Sequence, residues 1–144
     1  MVELVTAGVI VPLVVALRRW LCVVTVSGDS MAPTYRDGDR LLVVRSRRRV
    51  RIGSVIVFVP PAGVTDVRWL VKRVVGPNDD PRPGQFIVRG DATVSLDSRQ
   101  FGPVNRDAVI GIVVRRMLGP VQMLLFRRVV GCCFGLARDS QIGV

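Results

Sequence analysis

The chain has 144 residues, a formal net charge of +10 and no histidine. Without histidine, the chain by itself cannot build a Ser-His-Asp triad, a Cys-His pair or a histidine-ligated metal site. Hydrophobic residues make up 49% of the sequence beside 22% charged residues, and this length and mixture indicate a single domain associated with a membrane.

An apolar run from Leu4 to Leu17 predicts an N-terminal membrane anchor. The run is uncharged and ends at Arg18-Arg19-Trp20, a cationic and aromatic pattern typical of a membrane interface. Because a spanning helix needs about 20 residues, the run must recruit its flanks, and we assign residues 1–19 as a candidate single-helix anchor. A cleaved signal peptide is disfavoured because Arg18-Arg19 occupies the place of a cleavage site, and a buried core element is the remaining alternative.

A serine follows the first predicted strand. The β-branched run Val23 to Val26 predicts a strand, and Ser27-Gly28-Asp29-Ser30 comes directly after it. A serine at a strand end is held in place and accessible, which makes Ser30 a candidate nucleophile. Most serines in such positions only hydrogen-bond to the neighbouring backbone, so nucleophilic catalysis by Ser30 would also need a base.

A dense run of arginines, Arg45 to Arg51, lies between two predicted strands, Arg40 to Val44 and Ser54 to Val59. The run predicts either a contact with anionic lipid headgroups or a solvated hairpin tip. We do not expect nucleic acid as a partner, because no aromatic residue is interleaved with these arginines to stack on bases.

The predicted strand Val67 to Val75 carries Lys72, the single lysine among 21 basic residues. Arginine stays protonated in proteins, whereas burial can make a lysine amine neutral. Leu70, Val71 and the valines that follow Lys72 predict an apolar setting and a lowered pKa. Lys72 is therefore a candidate general base, and the alternative is a chance survivor of a general replacement of lysine by arginine.

The remaining short strands, Gln85 to Arg89 and Val109 to Val114, are bounded by glycine and proline turns, and together they predict a mostly β domain over residues 20–116. The tail, residues 117–144, has only short apolar pieces, which favour a helix on the membrane surface or one packed on the sheet. Cys22 and the adjacent pair Cys132-Cys133 show no metal-ligand spacing, so we expect free thiols and no metal or organic cofactor.

Three ordered motifs resemble the bacterial type I signal peptidases, which are Ser-Lys membrane serine proteases. The first motif is Ser27 to Thr34 with Gly38-Asp39-Arg40, and the second is Val71 to Gly76. The third is Gly90-Asp91 with Ser95 to Arg99 and Gly102-Pro103-Val104. The resemblance covers Val23 to Val114 and implies the β-fold of the signal peptidase catalytic domain.

The resemblance also implies roles for individual residues. Ser30 would be the nucleophile, Lys72 the general base, and Ser95 the residue that orients the lysine amine. The oxyanion would be held by the Ser30 backbone N–H, aided by Ser27, because Gly28 stands where some members carry a hydroxyl. The resemblance implies a structural ion pair between Asp97 and Arg99 near the site, with Ser98 between them in the chain. It also implies that the substrate groove is lined by Met31, Pro33, Leu70 and Val71.

The implied substrates are the signal peptides of exported preproteins, cut after small residues, with membrane lipids as the second partner. The family places its catalytic domain outside the cytoplasm on a single-pass anchor, although Arg18 and Arg19 on the catalytic side favour the opposite orientation. One alternative is a non-catalytic membrane-surface or interaction protein of the same fold, supported by an interval from Asp91 to Ser95 one residue shorter than usual. Another is a self-cleaving Ser-Lys protein of the LexA type, for which residues 1–19 are too short a DNA-binding domain.

Overall fold

The computed structural model describes residues 19–63, 67–77 and 84–117. These residues form one seven-stranded antiparallel sheet with the strand order β1-β2-β7-β3-β4-β5-β6. The strands are β1 (Leu21–Thr25), β2 (Arg40–Val44), β3 (Val55–Phe58), β4 (Leu70–Pro77), β5 (Gln85–Arg89), β6 (Val104–Asn105) and β7 (Val109–Met117). Helix α1 (Ser98–Phe101) and a 3-10 helix (Arg106–Ala108) complete the described elements. The prediction of a mostly β domain is confirmed.

The described part of the chain contains no helix that is both long and apolar enough to cross a membrane. The predicted anchor lies outside the described residues except for Arg19, and so does the predicted tail except for Met117. The proposed division into anchor, domain and tail therefore stays a prediction.

Burial along the strands explains why these segments pair. In β1 and β2, buried residues alternate with half-buried or exposed ones, the period-2 pattern of a strand with one face on a core. β3 is buried at all four positions, as expected for a continuously apolar strand covered on both faces. β7 inserts between β2 and β3, and it therefore joins the first half of the sheet to the second.

Two clusters of buried side chains pack against the sheet. The first combines β1 and β2 with alternate residues of β3 and β4, among them Val57 and Val71. The second takes the intervening residues of β3 and β4, among them Phe58, Leu70 and Val74. Since side chains alternate along a strand, Lys72 lies on the same face of β4 as Leu70 and Val74.

The connection between β1 and β2 carries the candidate serine and is closed at its base. The N–H of Val26 donates to the Asp39 carbonyl at 2.8 Å, and the N–H of Gly38 donates to the Val26 carbonyl at 2.9 Å. Gly28 has φ 85°, a left-handed conformation that glycine adopts without steric cost, and its N–H donates to Asp37 Oδ1 at 2.7 Å. Ser30 therefore sits in a loop of defined shape.

Candidate active site

Lys72 is buried in the middle of β4. Only 1% of its surface is exposed, and it pairs with Ile56 of β3. Burial penalises the charged ammonium and lowers the pKa of Lys72 from 10.5 to about 8, against the opposing attraction of the Asp97 and Asp91 carboxylates. The direction expected from the apolar flanks is confirmed. With a pKa of about 8, about a tenth of the amines are neutral at pH 7.

Ser30 lies half-buried in the β1–β2 connection. Its carbonyl oxygen accepts a hydrogen bond from the N–H of Ala92 at 3.2 Å, and Ala92 comes shortly after β5. The serine loop is thus docked on the segment that leaves β5. β5 in turn pairs with the strand that carries Lys72.

Gly90 is the point at which these segments meet. The β4–β5 register pairs Arg73 with Arg89, which puts Gly90 opposite Lys72 one position further on. A Cβ atom at Gly90 would overlap both the Ser30 carbonyl oxygen and Ser95 Oγ. Glycine is required there by close approach, and this approach brings the Ser30 backbone and the Ser95 side chain to the end of β5.

Asp91 ties three segments together beside this junction. It accepts a hydrogen bond from Thr34 Oγ1 at 2.6 Å and from Arg73 through Nε at 2.8 Å and Nη2 at 2.5 Å. The hydrogen bonds from Arg73 are the main reason that the pKa of Asp91 is lowered. Because Thr34 belongs to the serine loop and Arg73 adjoins Lys72, the Thr34–Asp91–Arg73 clamp links the two candidate catalytic segments.

Asp97 is fully buried and begins α1. Its side chain accepts from the Arg99 N–H at 2.9 Å. It also accepts from the Gln100 backbone N–H, while the Asp97 N–H donates to the Gln100 side chain at 2.8 Å, and these two bonds form a reciprocal capping box. The ion pair between Asp97 and Arg99 is present, with Nη2 to Oδ2 at 2.7 Å. Arg99 is the main cause of the lowered pKa of Asp97.

Two serines connect α1 to its surroundings. Ser98 Oγ accepts from the Val88 N–H at 2.9 Å, which attaches α1 to β5. Ser95 Oγ lies 3.5 Å from Asp97 Oδ2, a long contact. Ser95 Oγ thus lies close to Gly90 and Asp97, and the Asp97 carboxylate acts electrostatically on Lys72.

The residues predicted to line a substrate groove have different environments. Met31 and Val71 are buried in the first core cluster and Leu70 in the second, whereas Pro33 is exposed. Ser27, the predicted second oxyanion donor, is half-buried at the start of the serine loop. The groove and the oxyanion site stay predictions.

Sequence reasoning did not single out Thr34, Arg73, Gly90 and Asp91 as site residues, although each lies within one of the three motifs. The signal that marks them is their position within those motifs. The contacts that give them a role join residues far apart in the chain. Among the described residues, no group of three or more cysteine, aspartate or glutamate side chains is placed to hold a metal ion.

A protein-family model described as "Signal peptidase, peptidase S26" matches residues 1–80, which is more than half of the 144 residues. The matched part contains Ser30 and Lys72 with the motifs around them and ends before Gly90. No curated protein matches the chain.

Proposed function

Because this chain belongs to the signal peptidase family, we propose that it is a membrane-anchored serine endopeptidase that removes signal peptides from exported preproteins, with Ser30 as nucleophile and Lys72 as general base. Family membership implies a serine peptidase that acts on preproteins carrying signal peptides. The observation that supports the assignment of residues is the burial of the single lysine next to Gly90, where the backbone of Ser30 is also held.

The reaction would proceed through an acyl-enzyme. Neutral Lys72 takes the proton of Ser30 Oγ as that oxygen attacks the scissile carbonyl carbon. The oxyanion of the tetrahedral intermediate is held by the Ser30 N–H and by Ser27. The lysine ammonium then gives its proton to the leaving amine, and the peptide bond breaks.

In deacylation, a water molecule replaces the serine hydroxyl as the nucleophile. Neutral Lys72 takes a proton from a water molecule, which attacks the acyl carbon, and the ammonium returns a proton to Ser30 Oγ as the ester bond breaks. Ser95 orients the lysine amine throughout. No cofactor takes part, since every proton moves between the amine, the serine, water and the leaving group.

The substrate would be an extended peptide with small side chains, typically Ala-x-Ala, before the cut. It would lie along strand backbone near Ser30 and β4, where main-chain hydrogen bonds provide affinity. The residues assigned to this groove are Met31, Pro33, Leu70 and Val71. The catalytic domain would face the extracytoplasmic side of the cell membrane on a single-pass anchor.

The test is cleavage of a model preprotein in membranes that contain wild-type, Ser30→Ala, Lys72→Ala or Lys72→Arg protein. We expect processing by wild type and a loss of at least about a thousandfold in each variant, because residues that act as a unit in serine peptidases cost that much or more when removed. Lys72→Arg should be as inactive as Lys72→Ala, since a guanidinium stays protonated. Equal cleavage by all four proteins, or none by wild type, would refute the assignment.

A further inference from the structure

A groove outside the candidate active site brings both tryptophans of the chain together with arginines. It is an open groove with a volume of about 740 Å³. Ten described residues line it and none of them is acidic; they include Trp20, Trp69 and the four arginines Arg45, Arg47, Arg48 and Arg68. We call this feature the Trp–Arg groove.

The backbone holds the arginine run against the start of β1. The N–H of Arg45 donates to the Trp20 carbonyl at 2.7 Å, and Arg47 Nε donates to the Val109 carbonyl at 3.0 Å. Although Arg47 also lies 3.8 Å from Asp107, more than half of its side chain is exposed. These arginines are therefore held in place on the protein and still face solvent, unlike the tip of a free hairpin.

The aromatic side chains are placed for an interface. The Arg68 guanidinium lies over the Trp69 ring at 5.2 Å from its centroid, a cation–π contact. Trp20 is 62% exposed, so most of its side chain faces solvent beside the groove. Tryptophan is enriched at membrane–water interfaces, and basic residues are attracted to anionic lipid surfaces.

We propose that the Trp–Arg groove binds the phosphate headgroup of an anionic membrane phospholipid. Charge complementarity selects an anion, because four of the ten described lining residues are arginines and none is acidic, and the Asp107 carboxylate beside the groove lies 3.8 Å from Arg47. Chain continuity selects a membrane as its source, because the apolar run Leu4 to Leu17 ends directly before Arg18-Arg19-Trp20, so the run predicted to enter the bilayer leads straight to the groove.

Headgroup binding would set the height of the peptidase site above the membrane. Trp20 and the Ser30 loop lie at opposite ends of β1, whose five residues span about 17 Å at about 3.3 Å per residue. Trp69 precedes Lys72 by three residues, about 10 Å along the chain. A groove seated on the headgroups would therefore hold the candidate catalytic residues within one strand length of the membrane surface.

The test uses the full chain carrying Ser30→Ala, which lacks the proposed nucleophile. Lipid binding is therefore measured without peptidase activity, so that either proposal can fail while the other stands. Partition is measured onto vesicles of phosphatidylcholine alone and of phosphatidylcholine with phosphatidylglycerol. The apolar run contributes equally to both, so the ratio of the two partition coefficients isolates the anionic headgroup. Since Trp20 and Trp69 are the two tryptophans of the chain, quenching of tryptophan emission by headgroup-labelled phosphatidylglycerol reports directly on the groove.

We expect a preference for anionic vesicles that falls by about fivefold for each groove arginine removed, hence about 25-fold in Arg48→Gln/Arg68→Gln. The matched control Arg51→Gln/Arg115→Gln removes two exposed arginines outside the groove and should keep most of the preference and the quenching. Circular dichroism of each variant establishes that it is folded, and a variant that is not folded is replaced by the single substitution Arg48→Gln.

Four results would overturn the proposal. Equal partition onto neutral and anionic vesicles would show that the groove does not select anionic headgroups. An equal loss of the preference in the control pair would show that net charge, and not the groove, causes it. The same change in tryptophan emission with inorganic phosphate alone would indicate a free-anion site. Tighter binding of a single-stranded oligonucleotide than of anionic vesicles, with the same quenching, would make the groove a nucleic-acid surface.

Discussion

Lys72 combines a fully buried position with a titratable amine. Burial costs the fold stability whenever the amine is charged, and the same burial supplies a fraction of neutral amine near neutral pH. Asp97 and Asp91 hold the pKa at about 8 by opposing the desolvation of the ammonium.

Peptidase activity should rise with pH and level off above about pH 8. A base that must be neutral loses about tenfold in kcat/KM for each pH unit below its pKa, and the pKa of Lys72 is about 8. The measurement is kcat/KM for a signal-peptide substrate from about pH 6 to about pH 10. A profile that is flat across this range would contradict the role of Lys72 as the base.

Lys72→Met should stabilise the fold at pH 7 while abolishing activity. A pKa lowered from 10.5 to about 8 corresponds to about 3 kcal/mol at about 1.4 kcal/mol per unit. This loss of folding free energy in the wild type is complete below about pH 8, where the lysine is charged in both the folded and unfolded states. It disappears as pH rises to 10.5, where the lysine becomes neutral in both states.

Denaturant unfolding of both proteins at pH 7 and above pH 10.5 measures this difference. The aspartates near Lys72 keep their arginine partners in the variant, since Arg73 holds Asp91 and Arg99 holds Asp97. The expected gain is therefore present at the lower pH and absent at the higher one. A variant that is less stable than wild type at pH 7 would show that the amine is better solvated than its burial implies.

At the scale of elements, the end of β5 organises the candidate site. The serine loop, β4 and the segment before α1 all contact Gly90 or Asp91. Neither residue carries out chemistry in the proposed mechanism. Both hold the elements that carry Ser30, Lys72 and Ser95, and Asp91 also raises the pKa of Lys72.

Gly90→Ala should disrupt this junction. The added methyl group overlaps the Ser30 carbonyl oxygen and Ser95 Oγ, and overpacking of this kind costs about 1–3 kcal/mol. We expect a loss of that size in the free energy of unfolding, together with a fall in kcat that exceeds any change in KM. Gly76→Ala in β4 is the matched control, since a Cβ atom there meets nothing within 4 Å, and equal effects of the two substitutions would exclude the close approach as the cause.

Asp91→Asn should shift the pH profile of activity to lower pH. The Asp91 carboxylate raises the pKa of Lys72, so its neutralisation should move the midpoint below about 8. The variant should also lose about 1–3 kcal/mol of stability with the charge-assisted hydrogen bonds from Arg73 and Thr34. The pH dependence of kcat/KM separates the two effects, and an unchanged midpoint would show that Asp91 acts only as a structural clamp.

At the scale of the whole molecule, the Trp–Arg groove and the candidate active site lie toward opposite ends of β1. The predicted anchor leads into the groove end of this strand. One sheet thus carries the groove proposed to contact the membrane and, one strand length away, the residues proposed for peptide cleavage. This arrangement suits a substrate that is itself tethered in the membrane.

The orientation of the chain in the membrane is open to direct measurement. We expect the full chain in the membrane fraction, with its catalytic domain degraded by protease added to the extracytoplasmic side of spheroplasts. The basic residues Arg18 and Arg19 favour the reverse orientation by the positive-inside rule, so the outcome distinguishes two physical expectations. Protection of the domain until the membrane is permeabilised would place it in the cytoplasm and contradict the proposed localisation.

Local patterns were sufficient to predict most of the strands. The predicted segments Arg40 to Val44 and Gln85 to Arg89 coincide with β2 and β5, because their alternating or apolar patterns are bounded by turn residues. The lowered pKa of Lys72 was also predictable, since its apolar neighbours in the strand form part of its surroundings. The two-residue strand β6 and helix α1 were not predicted, because elements this short carry too few residues for a periodic pattern.

What the sequence by itself determined is the set of chemical groups: one lysine, no histidine, a serine after a strand, and an apolar run beside basic residues. Only the tertiary structure decided which groups meet. β7 pairs between β2 and β3, Gly90 receives the Ser30 loop, and Trp20 and Trp69, which are far apart in the chain, line one groove with arginines of the β2–β3 connection. The physical reason is that strand pairing and close approach depend on contacts between distant segments, which no local pattern of residues encodes.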